Sequence, residues 1–249
     1  MSENAISTAI SLLFIFFATT LGSALTYVIS DKYAKKFFSV LSGFAVGVML
    51  AASVWSLIIP SIENSSFEGA MRVAEATVGF IFGGAFMIFV AKTVDGKKEE
   101  DTSFLSLFTA ITMHNIPEGL AVGFSFGAAA TGSITVAAAI AVAFGIGIQN
   151  IPEGAAISLS ARRFASKKKS FVFGALSGVV EPVSGLIGYF FAGTVKSLLP
   201  YFMSFAAGAM VFASVTDLLP DSLSSGKIKT GVGVMLGFLI MMCLDVILG

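Results

Sequence analysis

The chain has 249 residues, 56% of them hydrophobic and only 12% charged, with a mean hydropathy of +0.92. A soluble domain carries about 25% charged residues, so the composition excludes one and describes an integral membrane protein. The net charge of zero offers no basic surface to nucleic acid, and the single Cys243 excludes an internal disulfide.

The N-terminal MSENA lacks the basic region of a cleavable signal peptide, and the apolar run behind it is long enough to span a bilayer. A spanning helix needs roughly 20 mostly apolar residues. Charge clusters and turn formers cut the chain into eight such segments: residues 5–30, 37–60, 77–94, 104–127, 133–161, 170–194, 199–219 and 230–248. Lipid cannot satisfy bare backbone groups, so each is expected to be helical. The ~10-residue alternating segments of a membrane barrel are absent. No connection is long enough for an appended soluble domain, and a single transmembrane transport domain over 1–249 is expected.

Lys32, Lys35, Lys36, Lys92, Lys97, Lys98, Arg162, Arg163, Lys167, Lys168, Lys169, Lys227 and Lys229 all fall in one set of loops. The other set holds Arg72 and Lys196. With eight spans, the positive-inside rule puts both termini outside the cytoplasm. The loop DGKKEEDTS contains no histidine, and its charges read as topological anchors.

Two stretches repeat. FAVGVMLAASV at 44–54 and FAAGAMVFASV at 205–215 share seven of eleven residues at an offset of 161. Val78, Gly79, Gly83 and Met87 of the third span match Val232, Gly233, Gly237 and Met241 of the eighth. Spans four and five carry HNIPEG (His114–Gly119) and QNIPEG (Gln149–Gly154). Each partner crosses in the opposite direction to its match. The expected fold is therefore all-α, with eight helices in a three-plus-two-plus-three inverted repeat and a binding site near the midplane.

At 100° per residue, Glu118 lies between His114 and Asn115 on its helix, and Glu153 lies between Gln149 and Asn150. Two such helices face to face form two adjacent pockets sharing both glutamates. One holds His114, Glu118, Gln149 and Glu153; the other holds Asn115, Glu118, Asn150 and Glu153. Pro117 and Pro152 disturb the carbonyls of Met113 and Ile148, while Gly119 and Gly154 allow local distortion. Glu181, in GVVEPVSG of span six, adds a third carboxylate. At about 1.5 Å per residue, Glu118 is ~21 Å, Glu153 ~12 Å and Glu181 ~17 Å from the cytoplasmic ends, so the three can meet. No Lys or Arg lies in these spans, and an unpaired charge there costs at least ~2.5 kcal/mol. The glutamates are then either protonated or neutralised by a cation. Three carboxylates and one imidazole, His114 being the chain's one histidine, suit zinc first, with cadmium, iron or manganese behind it.

On these residues the chain resembles the ZIP (Zrt-, Irt-like protein) divalent metal transporters, of the bacterial GufA-like branch. HNxPEG in span four, its partner in span five and a glutamate in span six carry the resemblance, which covers the whole length. It implies a binuclear site between spans four and five helped by span six, a homodimer, and a multi-pass place in a prokaryotic cell (inner) membrane. It also implies that Met49 of span two lines the His-side pocket. Many members have His where Gln149 stands, and the following residue can be Asp where Asn150 stands here. These neutral amides make the His-side pocket the expected primary site.

The function expected is zinc uptake into the cytoplasm, with no enzymatic activity and with lipid and the metal ion as partners. Metal would come in near Glu63 and Glu68 and leave past Asp217 and Asp221. The alternative is a proton-coupled transporter using the glutamates as a relay. An intramembrane metalloprotease is the remote one, since HExxH places two histidines around a glutamate and this chain has one histidine.

Overall fold

The computed structural model describes residues 3–29, 31–95, 103–162, 165–194, 196–224 and 226–248. The described residues form helices joined by short turns, with no strand among them. The helices are α1 (Glu3–Val28), α2 (31–63), α3 (Ala70–Asp95), α4 (Ser103–Ala130), α5 (Val136–Ala161), α6 (167–194), α7 (199–224) and α8 (Lys227–Leu248). Seven of them are long and apolar enough to cross a membrane, and α4, at 28 residues, has the length of a span. Large apolar side chains such as Phe17, Phe82, Phe89, Phe190 and Met235 are exposed, while serines, threonines and carboxylates are buried. An apolar exterior around a polar interior is what lipid as solvent selects. This is a multi-pass membrane protein.

Three helices depart from regular α geometry, each beside a proline. In α6 the α-helix runs over Lys167–Ser177 and resumes over Val180–Thr194. The ring of Pro182 would collide with the Gly178 carbonyl four residues back and has no N–H to offer it, which places the break at Gly178 and Val179. The sequence predicts one uninterrupted span there. In α2 the turn Ser53–Ile58 is π-helical and runs into Pro60, and in α7 the turn Ser214–Leu218 is π-helical and runs into Pro220. A widened turn accommodates the missing proline donor. The Ser53 hydroxyl donates to the Met49 carbonyl at 2.7 Å, and that of Ser214 to the Met210 carbonyl at 2.7 Å.

The helices α2 and α3 also extend beyond the predicted spans. α3 begins at Ala70 rather than 77, because Glu75 is buried at 4% exposure and accepts a hydrogen bond from Ser65 in the preceding turn. A carboxyl group that finds a local hydroxyl does not end a helix.

Neighbouring helices approach most closely at glycines. α1 packs along α5, α4 along α6, α2 along α8 and α3 along α7. A Cβ on Gly47 would sit 2.1 Å from the Val234 carbonyl oxygen, and one on Gly237 2.1 Å from that of Phe44. A Cβ on Gly208 would sit 2.1 Å from the Phe80 oxygen, and one on Gly83 1.9 Å from that of Phe205. Small residues allow backbones to touch in this way. α4 and α5, each a member of one of these pairs, also lie against one another. Their link is a tight turn in which Ser133 N–H donates to the Ala128 carbonyl at 2.9 Å and Gly132 takes φ +76°. That left-handed residue closes the end of α4 and returns the chain antiparallel.

Candidate metal site

Both α4 and α5 remain helical through Pro117 and Pro152. Their motif glycines are contact points rather than points of distortion, which corrects the sequence expectation. A Cβ on Gly119 would fall 2.2 Å from the Glu181 carbonyl oxygen, and one on Gly154 2.0 Å from that of Thr19. Absence of a side chain at these two positions brings α6 against α4 and α1 against α5 just beside the glutamates.

Asn115, Glu118, Gln149, Asn150, Glu153 and Glu181 are all buried, with exposures of 1, 0, 0, 0, 3 and 0%. They come together in two linked groups. In the first, Gln149 Nε2 donates to Glu118 Oε1 at 2.8 Å, with Glu153 beside Glu118. In the second, Asn115 Nδ2 donates to Glu181 Oε1 at 2.9 Å and to the Ser177 carbonyl at 3.1 Å, with Asn150 beside Glu181. The Ser177 carbonyl belongs to the last turn before the break in α6, where a helix leaves carbonyls without intrahelical donors. Asn115 therefore completes the broken helix and holds its glutamate at once.

Asn115 and Gln149 each give an N–H₂ to a carboxylate, and their own oxygens are left without a partner. The result is an excess of acceptors. Asn115 Oδ1, Glu118 Oε2, Gln149 Oε1, Asn150 Oδ1, Glu153 Oε1 and Glu181 Oε2 are buried with no hydrogen-bond partner, against one unpartnered donor, Asn150 Nδ2. Each unsatisfied buried polar atom costs about 1–3 kcal/mol, so six acceptors in one place call for a cation or for protons. Among the described residues no three His, Cys, Asp or Glu side chains converge to hold an ion on their own. The amide oxygens are needed to complete any coordination sphere built from these residues.

The other predicted residues fall elsewhere. Met49 is buried at 1% exposure in α2, where its Sδ accepts from the Ser214 hydroxyl at 3.4 Å. Glu63 ends α2 and Glu68 lies in the following turn, both exposed. The side chains of His114, Asp217 and Asp221 lie outside the described residues. One participant has no counterpart in the sequence reading. Thr19 of α1, fully buried, donates from Oγ1 to Glu181 Oε1 at 2.7 Å. A threonine in an apolar helix ordinarily bonds its own backbone, and the Ile15 carbonyl lies 3.2 Å from Thr19 Oγ1, so nothing in its sequence context marks it.

The profile of the ZIP Zinc transporter family matches residues 96–245, which include Asn115, Glu118, Gln149, Asn150, Glu153 and Glu181. The chain is 34% identical to Zinc transporter ZIP11 of Xenopus tropicalis, with 93% of this chain and 94% of that protein covered. It is 32% identical to Zinc transporter GufA of Myxococcus xanthus, over 93% of this chain and 95% of that one. Zinc transporter ZupT of Streptococcus mutans is also 32% identical, over 90% of each. The matches run nearly end to end with full-length transporters, and the chain belongs to the ZIP family.

Proposed function

We propose that this protein transports zinc across the membrane, and that the ion passes through the acceptor cage between α4, α5 and α6. The observation that carries the reading is the set of six buried, unpartnered oxygens on helices without a Lys or Arg in the span. A divalent cation satisfies such a set, as oxygen ligands from carboxylates and amides do for hard and intermediate metals. Glu118, Glu153, Gln149 and the imidazole of His114 form the primary pocket. Asn115 and Asn150, with Glu181 added, join the same Glu118 and Glu153 in its neighbour, and the two glutamates shared between pockets make the site binuclear. Met49 of α2, which the family resemblance implies lines the His-side pocket, is a further candidate ligand. Cadmium, iron(II) and manganese(II) are candidate competitors.

Both termini face away from the cytoplasm, the membrane is the prokaryotic inner membrane, transport runs inward, and two copies associate through their apolar exteriors. Metal approaches past Glu63 and Glu68 and leaves past Asp217 and Asp221. The inverted three-plus-two-plus-three arrangement is supported by the packing. Exchanging α1 with α6, α2 with α7, α3 with α8 and α4 with α5 converts each main helix pair into another. It also carries the Gly47–Val234 approach onto Gly208–Phe80, and Gly237–Phe44 onto Gly83–Phe205.

Isothermal titration of purified protein with zinc tests the reading. The wild type is expected to bind, and the Glu118→Ala/Glu153→Ala variant is expected to lose the heat. Equal heats from both remove the cage as the binding site.

A further inference from the structure

We propose that Thr19 of α1 is a positioning residue of this site, fixing the Glu181 carboxylate so that Oε2 alone is free to meet the ion. The inference rests on the cage being the zinc site. Two donors converge on one oxygen of Glu181: Thr19 Oγ1 at 2.7 Å and Asn115 Nδ2 at 2.9 Å. The other oxygen, Oε2, is buried without a partner. A carboxylate with one oxygen doubly bonded is presented as a monodentate ligand of defined direction. Zinc favours few ligands in tetrahedral array, whereas larger cations take carboxylates in bidentate fashion. The Thr19 hydroxyl therefore acts on which ion is held as well as on how tightly.

Thr19 is itself held from three sides. Its carbonyl oxygen lies 2.0 Å from where a Gly154 Cβ would be, and its own Cβ lies 2.9 Å from where a Gly178 Cβ would be. The Ser23 hydroxyl, one turn on, donates to the Thr19 carbonyl at 2.9 Å and approaches the Gly154 carbonyl at 3.3 Å. Those contacts link α1 to the Q-N-I-P-E-G helix on one side and to the break in α6 on the other. The equivalence of the Gly119–Glu181 and Gly154–Thr19 approaches gives Thr19 in the first half the place Glu181 has in the second. The two residues that correspond to each other across the repeat are thus bonded directly.

Zinc and cadmium flux into proteoliposomes containing the full chain tests this, with Thr19→Val, Thr19→Ala, Thr19→Ser and Glu118→Gln compared. A hydrogen bond to a charged group is among the stronger ones, so removing the hydroxyl should raise the zinc concentration for half-maximal flux roughly tenfold. Maximal flux per folded protein should change little, cadmium should be less affected than zinc, and Thr19→Ser should behave as wild type. The smaller Thr19→Ala removes the hydroxyl and adds no atom against Gly178, and it decides the matter should the valine variant not fold. Wild-type half-saturation in Thr19→Ala, or a fall in maximal flux alone, overturns the positioning role. Undiminished zinc flux in Glu118→Gln overturns instead the cage on which it rests.

Discussion

Gln149 is the residue on which the proposed primary pocket is most directly tested. Its amide donates to Glu118 Oε1 at 2.8 Å, so an incoming cation meets a carboxylate already sharing one oxygen with a neutral donor. Gln149→His replaces that donor with a ligand nitrogen zinc prefers, and zinc affinity is expected to rise about tenfold, or ~1.4 kcal/mol. Titration calorimetry on the two proteins checks it, and equal affinities would place Gln149 outside the coordination sphere. The motif itself made Asn115, Glu118, Gln149, Asn150 and Glu153 legible, because carboxylates and amides inside an apolar helix have no solvent to pair with. Which amide serves which glutamate was not legible. That Asn115 goes to Glu181 follows from the free Ser177 carbonyl beside it, a product of the α6 break.

At the scale of elements, close glycine packing is what delivers α1 and α6 to the cage. Gly154→Ala puts a Cβ 2.0 Å from the Thr19 carbonyl oxygen, and a backbone atom cannot move aside without its helix. Forced overpacking of this kind costs about 1–3 kcal/mol, so the thermal midpoint in detergent should drop by several degrees, with zinc flux reduced as well. Gly84→Ala, where a Cβ meets nothing within 4 Å, should leave both unchanged and serves as the control. Helix existence was readable from apolar length, but helix ends and internal breaks were not. Charge is a poor terminator when a side chain such as Glu75 finds a local partner in Ser65. The π-helical turns at Ser53–Ile58 and Ser214–Leu218 occupy matching places in the 44–54 and 205–215 repeat. The residue identity of that repeat was visible in the sequence, whereas the widened turns depend on Pro60 and Pro220 beyond its end.

At the scale of the whole molecule, orientation rests on the distribution of Lys and Arg, which a labelling experiment reads directly. With Cys243 replaced by serine, Ser66→Cys should react with a membrane-impermeant maleimide in intact cells, and Ser166→Cys should react only after permeabilisation. The reverse pattern would invert the topology. Apolar surface surrounding a buried polar interior makes the protein a conduit only if the interior binds what it conducts. That claim is tested most directly by initial zinc flux into proteoliposomes, wild type against Glu153→Ala. The account predicts saturable zinc flux in the wild type and a loss of at least about tenfold in the variant, equivalent to ~1.4 kcal/mol or more, at equal protein incorporation. Undiminished flux in Glu153→Ala would contradict it.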